Sequence, residues 1–373
     1  MLSGTQVVIN GSSLMAIAPD WPGGFLSHLF VYAIGIIVFV LVTVIIFIWL
    51  ERRLVGRFQV RYGPNRAGPA GIFQPVADIV KILTKEDNVP ARGDRLVFWL
   101  APIVAFTPVL LVFAVVPFQD GALLVDLNIG ILYIIAVGSV TSIGVFMAGW
   151  SSNNKYSLIA AMRDAAQLVS YEIPLVLSII GVVLLSGSLS LTDIVNAQNV
   201  PFLLLQPLGL FIYFTASLAE VNRCPFDMVE ADSELVSGYN IEFSGMKFAM
   251  LLLSEYAEVA VLSVIVTTLF LGGWRGPLLP PFVWFLVKVF AVFFMVEWIR
   301  FTLMRLRIDQ VMAFAWKFLL PLALINLLIT SAQVVFWPGA PAWSLIIINI
   351  PLMVFLIILL SRNFTPGGKR IAA

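Results

Sequence analysis

The chain consists largely of long apolar runs separated by short polar segments. Nine runs approach the roughly 20 residues that a helix needs to cross a hydrocarbon core of about 30 Å. They cover residues 28–50, 98–117, 129–149, 166–187, 202–220, 244–271, 282–304, 313–335 and 342–361. Turn-forming segments such as PFQDG and WPGAP fall between them, and no internal repeat is evident. The pattern predicts an all-α polytopic membrane protein with about nine transmembrane helices in a single membrane domain, 1–373.

The longest polar segment, residues 51–97, contains a shorter pattern of helical period. Its apolar positions recur at the spacing of one helix face: Ile72, Phe73, Val76, Ile79, Val80 and Leu83. The spacing predicts an amphipathic interfacial helix over about 71–83. One interpretation is a helix that anchors the loop to lipid headgroups, and the other is a helix that frames an opening from the lipid into a protein cavity. Glu51, Arg52 and Arg53 end the first run, and alone they indicate a belt of snorkelling side chains.

Basic residues are concentrated in alternate loops. Nine Lys or Arg lie in 51–97, two in 150–165, one in 221–243, two in 305–312 and three in 362–373, whereas the intervening loops contain only Arg275. Because loops rich in Lys and Arg stay in the cytoplasm, we expect the N-terminus outside and the C-terminus inside. The first residues lack the basic region of a secretory signal, so we expect them to be retained.

The composition excludes several kinds of site. The sequence is 60% hydrophobic and 12% charged, whereas soluble domains have about 25% charged residues. Cys224 is the only cysteine and His28 the only histidine. This chain alone therefore cannot build a disulfide, a cysteine zinc site, an iron–sulfur cluster or a histidine metal cluster.

Residues 221–243 form an acidic loop, which is unusual between such apolar runs. The stretch 222–245 holds five carboxylates and one arginine. Carboxylates crowded in a low dielectric cannot all ionise, so we expect some pKa values in this loop to rise towards neutrality. The alternative is a solvated acidic loop that docks on a basic partner surface. Acids also lie within the predicted spans, where each costs about 2.5–3.5 kcal/mol and usually faces a polar cavity.

Several sequence blocks, in order from about residue 28 to 335, carry a specific resemblance. They include ERRLVGRFQVRYGPNRAGP, GWSSNNKYSLIAAMR, SYEIP, LAEVNRCPFDMVEADSELVSGYNIEFSGMKF, EYAE and LRIDQVMAFAWKFLLPLALIN. On these blocks the chain resembles the H-type membrane subunits of bacterial NADH:quinone oxidoreductase, equivalent to mitochondrial subunit 1 of respiratory complex I.

The resemblance implies a subunit that supplies the quinone entrance and part of the quinone chamber, and couples quinone reduction to proton translocation. It implies ubiquinone or menaquinone as substrate, with flavin, metal and iron–sulfur clusters bound by other subunits and none by this chain. The implied partners are the quinone-site hydrophilic subunits, the iron–sulfur subunits, the small membrane subunits, the antiporter-like subunits and membrane lipids, but no nucleic acid. The implied location is the bacterial plasma (inner) membrane.

The resemblance also assigns two groups of residues. The proton-coupling group consists of Glu172, Glu220, Glu230, Asp232, Glu234 and Glu255. The quinone-cavity group consists of Arg52, Arg61, Asp78, Phe226 and Arg300, with Arg305 near the same cavity.

The chain departs from the family pattern in two respects. Residues 137–144 lack an acid that some relatives carry in the third span, which puts one proton site in doubt. Asp164, Glu258 and Glu297 match no family feature, so we interpret them as local partners of Arg163, Lys288 or Arg300.

Two other functions remain compatible with the residues. One is the homologous membrane anchor of a membrane-bound hydrogenase or ferredoxin-driven relative, which copurifying subunits would distinguish. The other is a stand-alone ion or solute transporter, against which the missing repeat and the long interfacial loop argue.

Overall fold

The regular structure of the described residues is helical throughout. The computed structural model describes residues 24–119, 125–228, 232–277, 279–337 and 342–363, with side chains from residue 30 onward except at 232, 233, 342, 362 and 363. The helices are α1 Gly24–Phe58, α2 Gln74–Leu83, α3 Arg95–Phe113, α4 Gly130–Ser151, α5 Lys155–Ser186, α6 Leu191–Ala197, α7 Phe202–Leu205, α8 Pro207–Glu220, α9 Asp232–Leu235, α10 Gly245–Phe270, α11 Pro281–Thr302, α12 Ile308–Phe336 and α13 Ala342–Asn363. The 3₁₀ turns Pro69–Gly71 and Gly238–Asn240 lie in the loops.

Eight of the described helices are long and apolar enough to cross a membrane: α1, α3, α4, α5, α10, α11, α12 and α13. The prediction of a polytopic all-α membrane protein is thereby confirmed. The predicted amphipathic helix is present as α2, which begins at Gln74 rather than near residue 71. In this single chain its apolar face is exposed, with Val80 and Leu83 each 54% accessible.

The fifth predicted span, 202–220, is divided into two helices. Phe202–Leu205 and Pro207–Glu220 meet at Gln206 because Pro207 has no N–H to continue the hydrogen-bond ladder. Asn349 of α13 donates from Nδ2 to the Leu205 carbonyl at 2.5 Å, which satisfies one carbonyl released by the break. The longer piece, α8, is about 21 Å long, shorter than a hydrocarbon core.

The predicted loop 150–165 is mostly helical, so the fourth span begins at Lys155 rather than at residue 166. Only residues 152–154 connect α4 to α5, and the Asn154 side chain caps α5 by accepting the Tyr156 N–H at 3.0 Å. The polar residues of the stretch KYSLIAAMRDAAQ broke the apolar run in the sequence. They are accommodated in the helix because several of them, including Asp164 and Gln167, face the protein interior.

Helices α5, α8 and α10 form the centre of the bundle, and α1 and α13 lie at its periphery. Ile212, Tyr213 and Leu218 of α8 are buried, whereas Phe30 of α1 and Phe355 of α13 remain more than half exposed, as side chains that face lipid would be. Helices α3 and α4 approach closely where Gly144 meets Ala105, since a Cβ on Gly144 would lie 2.6 Å from the Ala105 nitrogen. Small residues permit such close helix contacts in membranes.

We expect Gly144→Ala to destabilise the protein because its methyl group would collide with backbone that cannot rotate away. Overpacking of this kind costs about 1–3 kcal/mol. Gly35→Ala is the matched control, since a Cβ there meets no atom within 4 Å, and it gains the helix propensity of alanine. The midpoint of thermal unfolding in detergent measures both. Equal midpoints for Gly144→Ala and the unmodified protein would contradict the proposed contact.

Candidate functional site

A cavity of about 110 Å³ lies inside the bundle between α3, α4, α5, α8 and α10. Five carboxyl groups line it: Asp164, Glu172, Glu220, Glu255 and Glu258. None of the described residues that line the cavity is Lys or Arg. Its volume admits several water molecules, since roughly 10–15 Å³ is needed for one. Water and carboxyl groups in one enclosed space can exchange protons with each other.

Helix α10 contributes two of these acids from one face. Glu255 and Glu258 are three residues apart, a spacing that places both side chains on the same side of a helix. The Tyr239 hydroxyl donates to Glu255 Oε1 at 2.7 Å, and Asn240 Nδ2 lies 3.5 Å from the same oxygen. Burial and the neighbouring Glu255 carboxylate raise the pKa of Tyr239 well above its ordinary value, so its hydroxyl remains a hydrogen-bond donor.

Helices α5 and α8 contribute Glu172 and Glu220. Glu172 follows the buried Tyr171 in α5, and Glu220 is the last residue of α8. The two carboxylates are close enough for their charges to repel. Opposite them α4 presents no acid: Gly138 faces Glu220 Oε1, and the hydroxyl groups of Ser139 and Ser142 line the wall. The departure noted in 137–144 therefore leaves hydroxyl groups in this wall.

Asp164 of α5 is the most deeply buried of the five acids, with no accessible surface. Asn222 donates from Nδ2 to Asp164 Oδ1 at 2.6 Å, whereas Oδ2 has no hydrogen-bond partner among the described residues. Gln167, one turn further along α5, donates to Asn222 Oδ1 at 3.0 Å and to the carbonyls of Ala219 and Phe226. These bonds fix the turn that follows α8.

A smaller space of about 10 Å³ adjoins the cavity on the side of the acidic loop. It shares Val221, Asn222, Tyr239 and Glu255 with the large cavity and adds Arg223, Asp227 and Arg300. Asp227 is therefore an acid of the loop that lies close to the cavity acids. The shared side chains lie between the large cavity, which has no described Lys or Arg, and the smaller space, which has two arginines.

Glu51, Glu297, Arg223 and Arg300 form a second, largely buried group that contains both acids and bases. Arg300 donates to Glu51 and lies 3.8 Å from Glu297. Burial alone would lower the pKa of the Arg223 guanidinium, but Glu51, Tyr256 and Glu297 raise it above its ordinary value. Glu51 is only 7% exposed, so for this residue the interpretation as a snorkelling belt is wrong.

The structure brings together some of the predicted quinone-cavity residues and separates others. Arg52 of α1 pairs with Asp78 of α2, and Gln74 donates to the same carboxylate at 3.1 Å. Arg61 is exposed and donates to Gln59. Phe226, 4% exposed, packs in the core with ring centroids 5.4 Å from Tyr171 and 6.0 Å from Phe314.

The remaining members of the predicted acidic group are less fully described. Glu230 lies outside the described residues, and Asp232 is described only as the first residue of α9. Glu234 accepts a hydrogen bond from Arg163 Nη1 at 2.7 Å. This bond lowers the pKa of Glu234 below its ordinary value. Glu234 is therefore not one of the loop acids whose pKa rises, because its carboxylate pairs with a base instead of another acid.

Asp164 and Glu258 are cavity residues that the sequence analysis interpreted as local ion-pair partners. Among the described contacts, Arg163 turns to Glu234, and Lys288 donates to the carbonyls of Leu271, Gly273 and Arg275. Only Glu297 has the expected partner, Arg300. For Glu258, the three-residue spacing from Glu255 indicated that the two acids share a helix face. For Asp164, the sequence did not show which side of α5 is buried.

Comparison with known proteins extends over most of the chain. A family model described as NADH dehydrogenase matches residues 31–331. The chain is 62% identical over 348 residues to the H-type subunit of NADH-quinone oxidoreductase from Dehalococcoides mccartyi (strain CBDB1), a match that covers 93% of this chain and 99% of that relative. It is 47% identical over 330 residues to an H-type subunit of the same enzyme from Syntrophobacter fumaroxidans, covering 86% and 99%. It is 46% identical over 334 residues to the H-type subunit from Brevibacillus brevis, covering 88% and 99%.

The quoted motifs, the helical membrane fold and the long matches agree. The chain therefore belongs to the NADH dehydrogenase family of H-type subunits, membrane subunits of the enzyme NADH-quinone oxidoreductase.

Proposed function

We propose that this chain forms the quinone entrance and part of the quinone chamber of NADH-quinone oxidoreductase, and couples quinone reduction to proton translocation through its buried acids. The observation that carries the proposal is the single cavity lined by five carboxyl groups and by no described Lys or Arg. Acids so enclosed respond to a charge that arrives nearby, because a low dielectric makes each charge felt by its neighbours. A quinone that gains electrons and then protons supplies such a charge.

The acidic loop provides the connection between the quinone and the cavity in this proposal. Asp227 lies in the small space that shares four residues with the cavity, and Glu234 is tied to α5 through Arg163. Movement or protonation of the loop would change contacts on both sides of that shared wall. The acids of the cavity would then start a charged path towards the antiporter-like subunits.

Helix α2 and the end of α1 are the proposed frame of the entrance. The Arg52–Asp78 ion pair joins the two helices, while the apolar face of α2 stays exposed, as an amphiphilic quinone would require of a path from lipid. Arg61 is assigned to the same entrance, and Phe226 supports the turn behind the chamber from within the core. Arg300, with Arg305 nearby, supplies positive charge at its inner end.

Orientation and assembly are part of the same proposal. Loop 51–97, the other loops on its side of the membrane and the acidic loop face the cytoplasm of a bacterial plasma membrane. Hydrophilic subunits deliver electrons on that side. Ubiquinone or menaquinone is the substrate. The names of the relatives support this assignment over a hydrogenase anchor or a stand-alone transporter.

We expect Glu220→Gln and Glu255→Gln in the assembled complex to lower proton pumping coupled to quinone reduction by about 10²-fold, the lower range for loss of a positioned proton-transfer group. Glutamine keeps the size of the side chain but cannot exchange the proton. Proton uptake into inverted membrane vesicles, measured beside quinone reduction, reports the effect. Glu86→Gln is the control, because Glu86 is exposed and lies outside the cavity. Normal coupling in both cavity variants would exclude the buried acids from the path.

We expect Asp78→Asn to raise the KM for a quinone added in the membrane several-fold with little change in kcat, because the pair that positions α2 against α1 is lost. An exposed ion pair contributes only about 0.2–1 kcal/mol to stability, so folding should be preserved. Lys81→Gln, on the same helix, removes a charge without breaking a described ion pair and serves as the control. An unchanged KM with both variants would argue against an entrance at this position.

We expect Arg163→Gln to release the acidic loop and increase hydrogen exchange in residues 232–240 at neutral pH. The pKa of Glu234 is lowered by Arg163, so the bond is present at neutral pH and is lost as the pH falls through that lowered pKa. The difference in protection between the variant and the unmodified protein should therefore vanish in acid. Arg92→Gln, an exposed change in another loop, is the control. Equal protection at neutral pH would show that the pair does not hold the loop.

A further inference from the structure

Asp164 combines three properties that set it apart from the other cavity acids. It has no accessible surface, it lines the cavity, and its Oδ2 is buried without a partner among the described residues. The adjacent Arg163 does not neutralise it, since that guanidinium pairs with Glu234. Asp164 matches none of the family features quoted above.

An ionised carboxylate at this position would have few hydrogen-bond donors and no neighbouring positive charge in the cavity. Two carboxylate oxygens offer about four acceptor sites, and the structure shows one donor, Asn222 Nδ2, on Oδ1. The described ionisable groups that line the cavity with Asp164 are Glu172 from its own helix, Tyr213 and Glu220 from α8, Glu255 and Glu258 from α10, and Tyr239 from the 3₁₀ turn. All of them are acids, so none supplies a positive charge. The effective cost of burying an uncompensated ion is several kcal/mol.

We propose that Asp164 is a further proton-holding residue of the coupling path, which takes up and returns a proton at Oδ2 while Oδ1 remains bound to Asn222. The inference rests on the proposed function of the cavity. The proton comes from a neighbouring carboxylic acid of the cavity, which becomes a carboxylate as Asp164 becomes the acid. The net charge of the cavity and the electron count are unchanged by this transfer.

Asn222 is the positioning residue for this exchange. It donates to Asp164 Oδ1, accepts from Gln167, and lines both the cavity and the smaller space beside Asp227. Its backbone is left-handed, with φ of 53°, a conformation that asparagine tolerates better than most residues. A change in the turn that follows α8 would therefore reach Asp164 through a single side chain.

Asp164→Asn separates the proton-holding role from a structural one. The amide oxygen can still accept the hydrogen bond from Asn222, so the turn is retained, but the group that exchanges a proton is lost. In the assembled complex in vesicles, redox-induced infrared difference spectra should lose one carboxylic C=O band in this variant. Pumping per quinone reduced should fall at least about 10²-fold, the lower range for a lost proton-transfer group. Asn222→Gly, which preserves the left-handed backbone, should keep that band but shift its frequency.

Asp193→Asn is the matched control, because Asp193 is an exposed aspartate that accepts from Ser188 outside the cavity. If Glu220→Gln uncouples the complex while Asp164→Asn retains every band and normal pumping, the role of Asp164 is overturned and the proposed function stands. If neither Glu220→Gln nor Glu255→Gln alters pumping or the spectrum, the proposed function fails and the path through Asp164 fails with it. Loss of the band in Asp164→Asn but not in Asp193→Asn supports the inference directly.

Discussion

The grouping of five acids around one cavity, without a basic residue on its described walls, is the constraint on which the rest of the structure depends. Such a group is costly to bury and persists only if the surrounding helices fix its geometry. The acids come from three helices, α5, α8 and α10, so the rotation of each must be held. Close packing between α3 and α4 and the hydrogen bonds that Gln167 makes across the turn after α8 provide that rigidity.

Two groups of ionisable residues lie side by side and differ in composition: one contains acids and bases, and the other contains acids without Lys or Arg among the described residues. The group of Glu51, Glu297, Arg223 and Arg300 contains two acids and two bases, and Arg300 pairs with both acids. The cavity is lined by acids and by no described Lys or Arg, so in the proposed function these acids respond to their surroundings by exchanging protons. The turn at residues 221–223 separates the two. In the proposed path, this turn therefore joins a group whose formal charges balance to a group that contains only acids.

The sequence predicted most of the helices because lipid imposes a length and a composition on each span. The prediction was wrong at two places where a local feature interrupted the apolar pattern. The break before Pro207 divides one predicted span into two helices, and the polar first turns of α5 were predicted to be a loop. The motifs identified Glu172, Glu220 and Glu255, but the rotation of each helix is set by packing and is not encoded in spacing alone. Asp164 shows the reason. Arg163 precedes it directly, yet adjacent helical residues point about 100° apart, so one side chain reaches the acidic loop and the other the cavity.

One segment of about 20 residues contacts all the parts that coupling requires. From residues 222–240, Asn222 binds Asp164, Tyr239 binds Glu255, and Glu234 binds Arg163. A hydrogen bond to a charged group contributes about 1.5–3 kcal/mol, and 1.4 kcal/mol already changes an equilibrium tenfold. In the proposed function, displacement of this segment by a negative charge on the quinone would therefore alter the proton equilibria of Asp164 and Glu255 at once. Because each contact is a side-chain bond from the same loop, the proposed coupling requires no rearrangement of the membrane helices themselves.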